Sequence, residues 1–164
     1  MTFDFQQALR QRHGAVGEHA VAGRLRAWGF VLVEKVHTPW KVQFGPGGRV
    51  MRAWPVEKVC GDFRAVMPPH GRSVLVEVKS REAGPLSWSD FESHQHDAMV
   101  ANANAGGLSL VGWTRPGACM IFEYGRACDA GWKNRAPLQP DVAMNLATDT
   151  HARIVQAMAH PPVR

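Results

Sequence analysis

The 164-residue sequence predicts an α/β sandwich in one domain, with a mixed central sheet flanked by helices. Three observations point there. Apolar residues at helical spacing bracket several short β-branched runs. These segments alternate as helix, three strands, helix, two strands and helix. A content of 45% hydrophobic and 20% charged residues is that of a folded globular chain.

From Phe3 to Trp28 the chain reads as helix, with Gly14 and Gly17 as candidate breaks. Val21, Leu25 and Trp28 recur at i, i+4 and i+7, and Gly29 stands where a left-handed residue ends a helix. Phe30 to Val36 is apolar and β-branched enough for a strand. Residues 38–54 differ: Pro39 and Gly45-Pro46-Gly47-Gly48 make them a long connection or a projecting hairpin that turns at the glycine-rich tip. This segment mixes Trp40, Lys41, Arg49, Arg52 and Trp54, which suits stacking and phosphate contact; the plainer reading folds its tryptophans back on the core.

Val56 to Met67 reads as the second strand and carries Gly61-Asp62-Phe63. Pro68 to Gly71 forms the turn into Ser73–Ser80, the clearest strand of all. Ser89-Asp90-Phe91-Glu92 has the pattern of a capping box, opening a helix that runs to about Ala105 and stops at Gly106-Gly107. Leu108–Trp113 and Cys119–Tyr124 are two further strands joined at Arg115-Pro116-Gly117. A last helix is expected from about Asp149 to His160, with Ile154, Val155 and Met158 apolar. The domain therefore divides into a core over about residues 5–125, a projecting segment at 38–54 and a C-terminal extension at 127–164.

No apolar run approaches the roughly 20 residues of a membrane helix, and Met1-Thr2-Phe3-Asp4-Phe5 does not read as a signal peptide, so a cytoplasmic protein without a membrane partner is expected. Cys60, Cys119 and Cys128 are widely spaced and form no CxxC pair, which excludes a disulfide framework and a CxxC zinc site. The net charge is +5, and fourteen of the nineteen basic residues are Arg. Arg is the better bidentate partner for phosphate, so a polyanion is favoured, nucleic acid first. Solubility alone is the plainer explanation of the charge.

Asp62 and the Glu77-Val78-Lys79 run lie on consecutive expected strands. Side chains alternate along a strand, so Glu77 and Lys79 share one face while Val74, Val76 and Val78 fill the other. If the strands pair, Asp62 lies close to Glu77, and two carboxylates in one pocket repel unless a cation joins them. Mg²⁺ takes one or two carboxylates together with water and phosphate oxygens. The competing reading is an ion-paired face turned to water. Glu18 falls on the inward stripe of the first helix, where a carboxylate is costly unless it is paired, snorkels out or reaches the same metal. Gln95 follows Phe91 and precedes Ala98 at helical spacing, an amide on an apolar stripe with His94 beside it. It is suited to orient a water or a phosphate, or else is an ordinary hydrogen-bonded amide. Other patterns are weaker. His94 and His96 point to different sides of a helix, the glycine-rich tip lacks the Lys-Ser/Thr ending of a phosphate-binding loop, and Cys60 reads as a small core residue.

Taken in order, Gly14-x-x-x-Glu18, Trp28-Gly29-Phe30, Gly61-Asp62-Phe63, Val76-Glu77-Val78-Lys79-Ser80 and His94-Gln95 resemble the PD-(D/E)XK nucleases. Within them the chain is most similar to archaeal-type Holliday junction resolvases and their bacterial RecU relatives, over roughly residues 10–113. The resemblance implies a restriction-endonuclease-like αβββαβ core. It implies that Asp62, Glu77 and the Val78 carbonyl bind Mg²⁺, with Mn²⁺ able to substitute, and that Glu18 completes the site. Lys79 would position or activate the attacking water, and Gln95 would sit at the edge of the site. Arg10, Arg12 and His13 match a basic N-terminal segment that touches the DNA backbone. Lys41, Arg49 and Arg52 lie where RecU carries a projecting stalk. The motif's proline is replaced by Gly61, and nothing from Ala127 onward matches.

The expectation is a metal-dependent, structure-selective endodeoxyribonuclease that nicks four-way DNA junctions in pairs and acts as a homodimer. A restriction- or repair-type nuclease on duplex DNA, and a non-catalytic DNA-binding module, are the alternatives.

Overall fold

In the computed structural model, residues 5–55, 59–134 and 136–159 are described, without the side chains of residues 5–13, Trp40 and Pro55. Helix α1 (Phe5–Ala27) leads into β1 (Val31–Lys35), the hairpin β2 (Trp40–Phe44) and β3 (Val50–Pro55), then β4 (Phe63–Met67) and β5 (Arg72–Ser80). Helix α2 (Ser93–Asn104), β6 (Leu108–Arg115), β7 (Ala118–Glu123), α3 (Tyr124–Asp129) and α4 (Pro140–Ala159) follow. The main sheet runs β1-β4-β5-β6-β7, parallel between β5 and β6 and antiparallel elsewhere. It is thus mixed and flanked by helices. With β2 and β3 set aside as an insertion that pairs only with itself, α1, β1, β4, β5, α2 and β6 spell the expected αβββαβ core.

The alternation along β5 separates two cores. Val74 and Val76 face α1, packing with Val21, Leu25, Leu110 and Ile121. Leu75 faces the other way, with Phe91, Met99, Val111, Trp113 and Trp132. Strand β6, an inner strand between β5 and β7, is buried along nearly its whole length, as a strand covered on both faces must be. Helix α4 runs along the edge strand β7 and joins both cores, through Ala143 and Ala147 on one side and Ile154 on the other. It thereby covers an edge that would otherwise invite pairing with another chain.

Four local expectations are corrected. Helix α1 is unbroken at Gly14 and Gly17. Gly17 is there for contact: a Cβ at this position would overlap the Ser80 and Thr114 hydroxyls, so its absence lets α1 lie close to the ends of β5 and β6. The second core strand starts at Phe63 instead of Val56, because Gly61 turns the chain at a φ of 81°; residues 56–58 lie outside the described ones. The helix expected from Ser89 starts at Ser93. Ser87 and Asp90 form one capping box around a short 3₁₀ turn, Phe91 is extended, and Glu92 with Gln95 forms a second box that opens α2. Finally, α4 starts at Pro140, well before Asp149. Its buried stripe is Ala143, Ala147, Thr150 and Ile154, mostly small side chains that give little hydrophobic signal. Among the described residues no helix is long and apolar enough to cross a membrane.

His96 provides a test of the second core. It stacks on Trp88 at 3.7 Å between ring centroids, and its Nδ1 lies 2.8 Å from the Tyr124 hydroxyl. Burial pushes its pKa below the usual value. Between the two values the unfolded chain binds more protons, so stability falls as pH drops through the ordinary histidine range near about 6.5. Thermal melts between about pH 7.5 and about pH 5.5 are expected to show a smaller acid loss in His96→Gln than in the unaltered chain.

Candidate active site

Asp62 is fixed by its own backbone and by its neighbours. Its N–H donates to the Val76 carbonyl at 2.7 Å, and its carbonyl accepts from the Val36 N–H at 2.9 Å. Its Oδ2 accepts from the Val78 N–H at 2.7 Å. The carboxylate is therefore held against β5, at the point where Glu77 and Lys79 emerge.

Glu77 is 4% exposed, an unusual place for a carboxylate. Its Oε1 lies 2.9 Å from Lys79 Nζ and accepts from Gln95 Nε2 at 2.5 Å. Gln95 Oε1 in turn accepts from Lys79 Nζ at 3.1 Å and from the Glu92 N–H at 3.0 Å. The capping box that starts α2 thus also fixes the amide that binds Glu77 and Lys79. The Lys79 ammonium sits 4.7 Å from the centre of the Phe91 ring, an additional cation–π support.

Burial pushes both carboxyls up from their usual pKa values. For Asp62 the Val78 N–H, Lys79 and Lys35 oppose that shift, and Glu18 adds to it. For Glu77 the Asp62 charge adds to it, and Lys79 and the Gly61 N–H oppose it. Two desolvated carboxylates, with the charge of Asp62 raising the proton affinity of Glu77, make a site short of positive charge. The donors are oxygens only, and a hard divalent cation such as Mg²⁺ is the ion that suits them. The residues present fit such a cation.

The structure brings Asp62, Glu77, Lys79 and Gln95 together, with Val78 between Glu77 and Lys79 on β5 and its N–H on Asp62. Glu18 lies at the margin: its Oε2 accepts from Lys35 Nζ at 2.5 Å, and its charge still acts on Asp62. Among the described residues no three His, Cys, Asp or Glu side chains gather closely enough to hold a metal ion. The side chains of Arg10, Arg12 and His13 lie outside the described ones. Lys41, Arg49 and Arg52 are exposed on the hairpin, away from this cluster. Lys41 pairs with Trp54 and Gln43 with Arg52, so these four share a face, with the Arg52 guanidinium 5.5 Å from the Trp54 ring centre. Trp54 belongs to neither core, so it does not fold back as the plainer reading had it. Lys35 and Phe91 escaped the sequence reading. Lys35 lies far from Asp62 in sequence, and only the pairing of Lys35 with Phe63 reveals that β1 ends beside Asp62.

Gln95 gives a direct test. Gln95→Leu removes one bond to Glu77, one to Lys79 and the one to the Glu92 N–H that caps α2, without emptying the space. Loss of such a supporting partner is expected to lower metal affinity or rate by about 10- to 100-fold, read by calorimetric titration with Mg²⁺ and by cleavage kinetics.

No protein-family model and no curated protein matches the chain. Among solved structures the fold is similar to Archaeoglobus fulgidus Hjc, described as a Holliday junction resolvase from an archaeal hyperthermophile. The identity is 20% and the TM-score 0.45, over 67% of this chain and 76% of that one. A second similar structure, SSO0001, has 12% identity and a TM-score of 0.31, over 92% of this chain and 61% of that one.

Proposed function

We propose that the chain is a divalent-metal-dependent endodeoxyribonuclease that resolves four-way DNA junctions. One observation carries the reading: Asp62 from the turn before β4, Glu77 and Lys79 from β5 and Gln95 from α2 converge in one partly buried cluster, with Asp62 tied to it through the Val78 N–H. The arrangement of a charged lysine beside two desolvated carboxylates matches what hydrolysis of a phosphodiester needs.

Asp62 and Glu77, with the Val78 carbonyl that the family resemblance adds, would hold the Mg²⁺. When bound, the cation supplies Lewis-acid neutralisation of the phosphate and of the leaving oxygen. Lys79, steadied by Glu77, Gln95 and the Phe91 face, orients the attacking water and offsets charge that builds on the phosphate. Gln95 keeps Lys79 and Glu77 at fixed separation. Water attacks phosphorus, the bond to the 3′ oxygen breaks, and the products are a 3′ hydroxyl and a 5′ phosphate. The exposed Lys41, Arg49 and Arg52 of the hairpin, and the Arg10, Arg12 and His13 segment, would contact phosphates, giving strong salt dependence and little base preference. A homodimer would set two such sites on strands related by a two-fold axis.

The test is cleavage of a labelled synthetic four-way junction beside a duplex of the same sequence, with Mg²⁺ and with chelator. Paired symmetric nicks in the junction alone support the proposal. Equal cutting of both DNAs replaces it with a duplex nuclease. Metal-independent binding without cleavage replaces it with a binding module.

A further inference from the structure

The outer side of α1 lines two cavities, of about 700 Å³ and about 620 Å³, that share Ala20, Arg24 and Cys119 and so form one trough. Both volumes are in the range of ligand sites. The trough lies on the α1 side of the sheet, opposite the face that carries Glu77 and Lys79. Its mouth is at the carboxyl ends of the parallel strands β5 and β6, the place where open α/β sheets bind ligands. Ser80 and Thr114 stand there with their hydroxyl oxygens 2.7 Å apart, and Ser80 directly follows Lys79 in the chain.

The charge at the mouth is positive. Arg24, Arg81 and Arg115 line it against one carboxylate, Glu82. Arg81 is paired with Asp90. Arg24 donates to the neutral Cys119 carbonyl at 2.7 Å, and Arg115 lies 5.4 Å from the centre of the Trp113 ring. Among the described residues neither Arg24 nor Arg115 is neutralised by a carboxylate. At the far end Trp28 and His151 stack at 4.8 Å with 23° between their planes, beside Met144 and Thr148. Between the ends Ala20, Gly23 and Ala27 are small exposed residues of α1 that leave room, and the exposed Arg24, which lines both cavities, stands between them. The run of helix from Val16 to Ala27 is about 17 Å long.

A cationic mouth, an open passage and an aromatic platform are the parts with which proteins hold an unpaired strand. We propose that this trough binds a single DNA strand of a few nucleotides, with Arg24 and Arg115 on its phosphates and the Trp28–His151 stack under a base. The inference deepens the nuclease reading and rests on it for the identity of the polyanion. A strand opened at the branch point and lying at Lys79 would pass over the end of β5 into the trough.

The experiment is a fluorescence-anisotropy titration of the full chain with a labelled oligothymidylate of about eight nucleotides, in chelator and low salt. Two variants are compared with the unaltered chain, each checked for folding by its thermal melt. Arg24→Gln with Arg115→Gln removes the charge, and Ala20→Phe obstructs the waist from an exposed helical position. Both are expected to weaken binding at least tenfold. The double Arg variant is also expected to lower the slope of log affinity against log salt by about 1.4. Unchanged binding in either folded variant overturns the proposal. Displacement of the strand by equimolar thymidine monophosphate also overturns it, in favour of a free-nucleotide pocket. Variants that lose the strand in a protein that cuts no junction leave the trough standing and sink the nuclease reading. Intact junction cleavage with unchanged strand binding does the reverse.

Discussion

Asp62→Asn is expected to lose junction cleavage by about 10³-fold or more and, at the same time, to become more stable at neutral pH. Both effects have one cause. Burial makes ionised Asp62 costly, and so its carboxyl titrates above the ordinary range. Between the unfolded and folded pKa values the folded chain binds more protons, so stability falls as pH rises through that window and the whole cost is present above it. The amide carries no charge and still offers an oxygen to the Val78 N–H, which Asp62 Oδ2 now occupies at 2.7 Å. The variant's melting temperature should exceed that of the unaltered chain by a few degrees, about 1 kcal/mol, near pH 8. The difference should close on acidification towards about pH 4. Added Mg²⁺ should raise the melting temperature of the unaltered chain and not that of the variant, because only a folded state with its carboxylate gains from the ion. A variant that is inactive and also less stable at every pH would show Asp62 to be structural.

Replacing Gly61 by proline is expected to be ruinous here. Gly61 has φ 81°, whereas proline is confined near about −65°. The Gly61 N–H also bonds to the Glu77 carboxylate, and proline has none to offer. Even a methyl group is too much: a Cβ at this position overlaps Leu75 Cδ1 and comes within 3.3 Å of the Val76 carbonyl oxygen. Gly61→Ala is expected to cost about 2–4 kcal/mol, from the left-handed backbone and from the repacking of Leu75. Gly61→Pro should cost more and displace Asp62, the next residue. Chemical denaturation and cleavage assays on both variants test this; a stable, active Gly61→Pro chain would mean that the turn takes another form.

The site was largely legible in the sequence because its residues obey short-range geometry. The period of two along β5 sets Glu77 and Lys79 together, and the periodicity of α2 turns Gln95 towards them. What stayed hidden depends on contacts between distant segments. Lys35 becomes part of the site only through the pairing of β1 with β4. The length of α4 was concealed because Ala143, Ala147 and Thr150 bury little apolar surface. The short helix α3 carried no caps or period of its own. The hairpin was legible as one of two options, since a glycine-rich tip marks a turn without telling whether flanking residues pair. The trough had no local signature, because its walls are α1, α4 and the β6–β7 turn.

The hairpin's point of attachment has a consequence for how such a protein can change. Lys35 is the residue paired with Phe63, and the Val36 N–H bonds to the Asp62 carbonyl, so the chain leaves the main sheet and returns to it at adjacent points. The excursion between them is a cassette whose ends are already joined by the sheet. Its length, tip and charge can drift, or be exchanged for another arm, without moving the carboxylates at its base. The cluster and the arm are thus separately evolvable, and on the proposed nuclease reading a shortened arm should leave hydrolysis intact while altering which DNA shapes are brought to it.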